Sequence, residues 1–420
     1  MTIRNSSRSS RIDAAVKAQA KLRAALGIPV LVAMMITAQS LALPFIIHIA
    51  YIIAVMMTVR RLGPSSTKAL SYLTAACDPL LLSACVWAGG RFGGLLVPFY
   101  LFTTLGYGLR IGTRHMLLCQ SLALAGFTAV FAFGTYWQAM PIAWLAFLLA
   151  LIIVPLSCLT AIGGTSGPAV KTPEQLRSRS SHGASRQPCQ PKCATGSEQA
   201  QIRASLKAQA KLRILLGIPV IAGTVALIAN MPEKGTLVWW MMTVHLSYIV
   251  LVAVTTRTNR QSILTALGYL TSVLDPLLLS AWLPLMDNAG GLIVGFYLFT
   301  ILGYGFRLGL VHMLVCQCAA IAGFAIAYAL EPYWRNEPLT WLSFLLSLII
   351  VPLYCRSLLR QLHDARHRAE QANAAKSRLL ARVSHELRTR RASRLMAPVH
   401  GKSPKVISGK PNSLCASAIR

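Results

Sequence analysis

Long apolar runs follow one another along most of this 420-residue chain, and they constrain its fold more than any other feature. Each run is long enough for a helix to cross a hydrocarbon core of about 30 Å. Charged residues make up only 13% of the sequence and hydrophobic residues 55%, whereas roughly 25% of an ordinary soluble domain is charged. Because a helix satisfies its own backbone hydrogen bonds in lipid, the sequence predicts an all-α polytopic membrane protein. A soluble globular enzyme is excluded.

The chain contains an internal duplication. The segment KAQAKLRAALGIPV at 17–30 returns as KAQAKLRILLGIPV at 207–220, and ALSYLTAACDPLLLSA at 69–84 returns as ALGYLTSVLDPLLLSA at 266–281. From the second apolar run onward, equivalent residues differ by 197 in number, as 69 and 266 do. This period is far longer than that of a solenoid repeat. We interpret it as a tandem copy of a whole membrane module.

Each copy divides into six apolar spans, which predicts two tandem six-helix modules. In copy 1 the spans lie at 24–41, 43–59, 69–88, 93–109, 115–134 and 141–161. In copy 2 they lie at 212–229, 237–254, 264–283, 291–306, 310–330 and 339–355. The predicted organisation is an N-terminal segment (1–23), copy 1 (24–162), a flexible linker (163–202), copy 2 (203–355), a helix (356–389) and a disordered tail (390–420).

The basic residues predict the orientation of the chain in the membrane. Lys and Arg number 41 against 12 Asp and Glu, a formal net charge of +29. In a membrane protein such an excess marks cytoplasmic segments, so we do not take it as a sign of nucleic-acid binding. With twelve spans and a cytoplasmic N-terminus, only Arg91, Lys234 and Arg335 fall outside the cytoplasmic segments. We therefore expect both termini and the linker to be cytoplasmic.

The linker at 163–202 is rich in Gly, Ser, Pro and Arg and shows no periodicity. It contains three residues of metal-binding type, His182, Cys189 and Cys193. A structural zinc site needs four well-placed ligands, and only three are present at loose spacing. We therefore predict an unstructured linker and no metal site.

The chain changes character at Arg356, where polar helix-forming residues replace the apolar runs. Apolar residues then recur at alternating intervals of four and three, with one polar interruption; the positions are Leu358, Leu362, Ala365, Ala369, Ala372, Lys376, Leu379 and Val383. This spacing is typical of a coiled-coil seam, so we predict a dimerising stalk. The alternative is an amphipathic helix that lies on the inner leaflet.

The predicted stalk ends in KSRLLARVSHELRT at 376–389. This motif resembles the phosphoacceptor box of sensor histidine kinases. The preceding membrane sequence resembles the sensor of Rpf-type hybrid kinases, which respond to diffusible fatty-acid quorum signals. The resemblance implies that His385 is the phosphorylated residue and that Glu386 orients its imidazole and accepts its proton. It also implies that Arg388 supplies positive charge near the phosphate and that Thr389 orients water for dephosphorylation.

The same resemblance implies a location and partners. The location is a bacterial inner membrane, and the signal is a lipid-like molecule. The partners are a second copy of the chain or an intact kinase, joined through the coiled coil, and a response regulator. The family continues with Pro-Leu, a second helix and an ATP-binding domain, whereas Arg390 and Arg391 follow here and no nucleotide-binding motif appears by residue 420. We therefore expect a truncated, out-of-frame tail and no autophosphorylation, with ATP and Mg²⁺ supplied only by a kinase domain in trans.

Two acidic residues lie in the middle of predicted spans. Asp78 and Asp275 occur in the repeated sequence DPLLLS, and His48 and His245 occupy equivalent positions one span earlier. An intramembrane acid is by default a functional hypothesis, and a His–Asp pair suits a polar head group or a fatty-acid carboxyl. The alternative is that each Asp, with the Pro that follows it, only satisfies its own helix. The sequence leaves both interpretations open.

Three functions fit these features. The leading hypothesis is the membrane sensor and phosphoacceptor part of a two-component histidine kinase. A twelve-span secondary transporter is the second, because two six-span halves with polar groups at mid-depth suit that class. A decoy that binds ligand without phosphotransfer is the third.

Overall fold

The computed structural model describes residues 2–37, 41–61, 64–165, 204, 206–208, 210–211, 214, 235–258 and 260–395. These residues form helices and short connections, and no strand occurs among them. The all-α prediction is confirmed. Outside the described residues lie the predicted span at 212–229 except residue 214, nearly all of the linker with His182, Cys189 and Cys193, and residues 396–420.

The two copies follow the same order of helices. Copy 1 contributes α1 (Thr2–Thr37), α2 (Ala42–Arg61), α3 (Pro64–Ala88), α4 (Pro98–Arg110), α5 (Thr113–Phe133), α6 (Thr135–Ala139) and α7 (Pro141–Thr165). The described part of copy 2 contributes α8 (Gly235–Thr255), α9 (Gln261–Met286), α10 (Val294–Arg307), α11 (Leu310–Leu330), α12 (Pro332–Asn336) and α13 (Pro338–Leu395). A 3₁₀ helix precedes α4 and α10, at Gly90–Leu96 and Asp287–Ile293.

Ten of the described helical segments are long and apolar enough to cross a membrane. They confirm a polytopic membrane protein, and they lie at Asp13–Thr37, Ala42–Arg61, Ser66–Ala88, Gly90–Arg110, Thr113–Phe133, Gly235–Thr255, Ser262–Met286, Ala289–Arg307, Leu310–Leu330 and Pro338–Gln361. The sixth predicted span of copy 1 is helical as α7, with a shorter apolar part at Pro141–Leu156. Six spans per copy stays a prediction, because all of 212–229 except residue 214 lies outside the described residues.

The fourth span of each copy ends in a turn that requires glycine. Gly112 and Gly309 have φ of 137° and 103°, a region that residues with a Cβ rarely adopt. Their amides donate to the carbonyls of Tyr107 and Tyr304, at 3.0 and 3.1 Å. This turn reverses the chain and holds each tyrosine in the last helical turn of its span.

Equivalent residues make equivalent contacts inside the two copies. The shared side-chain hydrogen bonds are Ser83–Tyr100 and Ser280–Tyr297, both 2.7 Å, and the indole donations from Trp144 to Phe127 O at 3.2 Å and from Trp341 to Phe324 O at 3.3 Å. In each copy the third span packs along the fifth. The described parts of the two copies therefore fold alike.

Residues up to Arg360 form one compact unit, and those from Gln361 onward form a second. The second unit begins within α13, which is helical through the predicted stalk at 356–389 and ends at Leu395. Residues 390–395, assigned to the disordered tail by the sequence pattern, are therefore helical. Helix-compatible Arg, Ala, Ser and Leu fill that stretch, and no Pro or Gly occurs before Pro398.

Candidate functional site

Copy 1 contains a buried carboxylate that three polar side chains contact. Asp78 lies on α3 and is 3% exposed. Its Oδ1 accepts a hydrogen bond from Tyr51 Oη at 2.7 Å, and its Oδ2 accepts one from Tyr107 Oη at 3.0 Å. Arg23 Nη2 lies 2.8 Å from Oδ2 and also donates to the Tyr107 hydroxyl. We call Arg23, Tyr51, Asp78 and Tyr107 the carboxylate cluster.

The partners of Asp78 come from helices other than its own. Arg23 lies on α1, Tyr51 on α2 and Tyr107 on α4. A carboxylate is costly to bury unless a counter-ion and hydrogen-bond donors compensate it. The carboxylate cluster meets that requirement and fastens four helices together. The alternative, that Asp78 only satisfies its own helix, does not agree with these contacts, because all three partners lie on other helices.

Copy 2 repeats the tyrosine contacts around its own acid. Asp275 is 7% exposed. Tyr248 donates to its Oδ1, and Tyr304 donates to its Oδ2 at 2.8 Å. The repeat of Arg23 in copy 2 is Arg213, which lies outside the described residues.

The histidines predicted to pair with these acids have other partners. His48 Nδ1 lies 3.5 Å from Cys85 Sγ, and His245 Nδ1 accepts a hydrogen bond from Trp282 Nε1 at 2.9 Å. The hydrogen bonds described for Asp78 and Asp275 come from tyrosines instead. A tyrosine lies one helical turn after each histidine. Its longer side chain brings a hydroxyl donor within hydrogen-bonding distance of the carboxylate, so the tyrosine takes the place predicted for the histidine.

His48 and Asp78 nevertheless line the same cavity. Its other polar residues are Arg23 and Thr103, and Leu, Ile, Val and Phe side chains from α1 to α4 and the first 3₁₀ helix form the rest of its wall. The cavity volume is about 40 Å³, which is room for about three water molecules. Arg23 Nε is buried and has no hydrogen-bond partner among the described groups. The cavity wall is therefore mostly apolar, with four polar residues in it.

Sequence reasoning missed three members of the carboxylate cluster. The division at residue 23 placed Arg23 in the polar N-terminal segment, but it is 8% exposed and ion-paired within the membrane module. The repeat contained the necessary signals. Arg23 belongs to the repeated KAQAKLR, Tyr51 recurs as Tyr248, and Tyr107 lies in the repeated LGYG.

A second polar contact joins copy 1 to the last span of copy 2. Gln19 Oε1 accepts hydrogen bonds from Arg110 Nη1 and from Tyr354 Oη, both at 3.2 Å. Gln19 lies one helical turn before Arg23 on α1. Tyr354 lies on α13, the same helix that carries His385. The helix that supplies the cation of the carboxylate cluster is therefore in direct contact with α13.

The phosphoacceptor motif at 376–389 lies on α13. Glu386 is exposed, whereas the side chains of His385, Arg388 and Thr389 lie outside the described residues. Residues four apart share one side of a helix, so His385 and Thr389 are one turn apart on the same side. The backbone of the motif is therefore helical throughout.

Nothing in the described ranges forms a metal centre. Among the residues whose positions are described, no group of three or more His, Cys, Asp or Glu is placed to hold a metal ion.

Comparison with known proteins finds a local likeness. No family model matches the chain, and no solved structure matches it. Over 89 residues the chain is 44% identical to the sensory/regulatory protein RpfC of Xanthomonas campestris pv. campestris, with the same values for strains ATCC 33913 and 8004. The match covers 21% of this chain and only 12% of that relative. It supports a relationship to sensor histidine kinases, the class that the motif at 376–389 also indicates.

Proposed function

We propose that this chain is the membrane sensor and phosphoacceptor part of a two-component histidine kinase of a bacterial inner membrane. One observation carries the proposal. The motif KSRLLARVSHELRT lies on α13, the same continuous helix that forms the last candidate span. The local likeness to a sensory/regulatory protein supports the same class. Both termini and the linker are cytoplasmic in this proposal, because nearly all Lys and Arg then lie on that side.

The chemistry assigned to the motif is transfer of a phosphoryl group to an imidazole. Neutral His385 attacks the γ-phosphorus of ATP in line with the leaving ADP, and a nitrogen–phosphorus bond replaces the bond to the bridging oxygen. Glu386 orients the ring and accepts its proton, Arg388 stabilises charge on the phosphoryl oxygens, and Thr389 orients water when the phosphate is removed. A kinase domain in trans supplies ATP and Mg²⁺, and a response regulator receives the phosphate.

The stalk is proposed to pair with a second chain, either a copy of this chain or an intact kinase. Leu379 and Val383 are 61% and 44% exposed, and both lie on the predicted seam. Exposed apolar residues at seam spacing are the ones that a coiled-coil partner covers. Pairing would place two phosphoacceptor helices side by side.

The proposed signal is an amphipathic, lipid-like molecule with an acidic head. Arg23 provides a buried cation with one unpartnered nitrogen, and the wall of the cavity provides apolar contact for a chain. The cavity holds about three waters, so it must widen before an acyl chain can enter. A head group that binds Arg23 competes with Asp78 for that cation and thereby loosens α1 from α3.

Phosphotransfer in trans tests the proposal. The purified chain is incubated with radiolabelled ATP and the isolated ATP-binding domain of a related histidine kinase. We expect acid-labile label on the chain, and loss of that label in His385→Gln. The matched control is His367→Gln, because His367 is an exposed histidine on the same helix. Equal labelling of the two variants would contradict the assignment of His385.

A further inference from the structure

The two copies of the membrane module pack against each other through equivalent residues. Phe147 on α7 and Phe344 on α13 are stacked, with ring centroids 4.1 Å apart and an angle of 23° between the rings. Both side chains are buried. Their numbers differ by 197, which is the offset between equivalent positions (344 − 147). A residue that meets its own equivalent lies on or near a two-fold axis.

A pair of reciprocal contacts lies beside that stack. A Cβ built on Gly94 would lie 2.8 Å from Ser343 Oγ and 3.6 Å from Ser343 Cβ, and one built on Gly291 would lie 3.3 Å from Ala146 Cβ. Gly94 is equivalent to Gly291, and Ala146 is equivalent to Ser343. Each copy therefore places the same glycine against the same position of the other copy. In a two-fold interface, residue i contacts residue j and j contacts i.

Small residues allow these helices to approach closely. Gly295 lies so near α7 that a Cβ added to it would be 3.2 Å from Ala150 Cα. Between helices in lipid, such close backbone approach is a main source of association energy, because lipid tails are as apolar as leucine. We call Gly94, Ala146, Phe147, Gly291, Ser343 and Phe344 the copy interface.

We propose that the membrane part of this chain is a homodimer folded into one polypeptide. A chain with a single module would use the copy interface to bind a second chain. In this protein the two modules of one chain already occupy that interface. Copies joined through unlike faces would make head-to-tail contacts, in which equivalent residues do not meet. A second chain is then left with the stalk as its binding surface, so a stalk dimer contains four modules but two phosphoacceptor helices.

Disulfide trapping in the full chain tests the two-fold contact. The ten native cysteines are replaced by alanine, and a specific protease site is inserted in the linker. Two variants carry the reciprocal pairs Gly94→Cys with Ser343→Cys, and Ala146→Cys with Gly291→Cys. The Cβ separations of 3.6 and 3.3 Å are close to the 3.5–4.5 Å of disulfides. We expect both pairs to bond within one chain, so that the halves stay joined after linker cleavage until a reductant is added.

Three results would overturn the proposal. One is oxidation that yields dimers of whole chains, because the copies would then pair between chains. Another is bonding in only one of the two variants, because the contact would then lack two-fold symmetry. The third is that linker cleavage separates the halves in both variants although each variant elutes as a single symmetric peak. A folded protein without either disulfide would show that the paired positions are not in contact. Ser343→Cys alone is the control, and we expect it to form no disulfide-linked dimer of whole chains, because the copy interface is already occupied within each chain.

A mass measurement with native residues at the copy interface gives an independent result. Leu379→Glu with Val383→Glu removes the stalk seam and leaves the copy interface unchanged. Light scattering in detergent should then give the mass of one chain. A dimer that persists in this variant would show that the membrane face is open, and it would refute the proposal whether or not the stalk itself forms a coiled coil.

Discussion

Replacing Asp78 by Asn removes the negative charge of the carboxylate cluster and leaves Arg23 without its counter-ion. Both side chains are buried, with 8% of Arg23 and 3% of Asp78 exposed. Breaking a buried ion pair at one partner typically costs about 3–5 kcal/mol, because the remaining charge stays desolvated. The amide oxygen can still accept from one tyrosine. We therefore expect Asp78→Asn to lower the free energy of unfolding by about 3–5 kcal/mol.

The chain offers a matched control at its N-terminal helix. Asp13 and Lys17 form an ion pair at 2.7 Å whose side chains are 19% and 44% exposed. Solvent screens such an i,i+4 pair, and its contribution is about 0.3–0.5 kcal/mol. Asp13→Asn removes the same functional group as Asp78→Asn. The difference between the two losses of unfolding free energy therefore measures the effect of burying the ion pair. We expect Asp78→Asn to lower the free energy of unfolding roughly ten times as much as Asp13→Asn does.

A double variant separates charge compensation from packing. Asp78→Asn with Arg23→Gln removes both charges, and we expect it to be more stable than Asp78→Asn alone, because no uncompensated ion remains. The assay is unfolding in mixed micelles of increasing denaturing detergent, followed by tryptophan fluorescence. Equal losses in Asp78→Asn and Asp13→Asn would refute the reasoning. So would a double variant at least as unstable as the sum of its single variants.

The remaining predictions concern the stalk, the topology and the phosphate donor. A single Cys at Leu379, on the seam, should crosslink between chains far better than one at Ala381, which lies on the opposite side of the same helix; equal crosslinking would favour a helix lying on the membrane. Reporter fusions to both termini and to the linker should all give cytoplasmic signals, and a periplasmic signal at the linker would contradict six spans per copy. The chain incubated alone with radiolabelled ATP should stay unlabelled at His385, and robust labelling would contradict a donor in trans.

Local features of the sequence determined the class of the protein. Apolar runs of sufficient length and few charges are enough to specify membrane helices, because lipid offers the backbone no other hydrogen-bond partner. The repeat at an offset of 197 indicated two similar modules, and equivalent side-chain contacts in the two copies agree with it. The motif at 376–389 carries the functional hypothesis through residue types and spacing alone.

Only the tertiary structure decided which polar residues meet inside the membrane. The sequence singled out Asp78 and left open whether it pairs with His48 or only satisfies its own helix, but Arg23, Tyr51 and Tyr107 make the contacts. Those residues are separated by 27 or more positions along the chain, and no local pattern fixes which side chain turns toward the acid. The geometry of four packed helices makes that choice.

The contact between the copies was likewise beyond the reach of sequence patterns. In a soluble protein a polar stripe shows which face of a helix is exposed. In a membrane helix the face against lipid is as apolar as the face against protein, so Leu251, which is 64% exposed, and Leu298, which is fully buried, look alike in sequence. Phe147 meets Phe344 because the packed surfaces are complementary in shape, and that complementarity exists only once the helices are assembled.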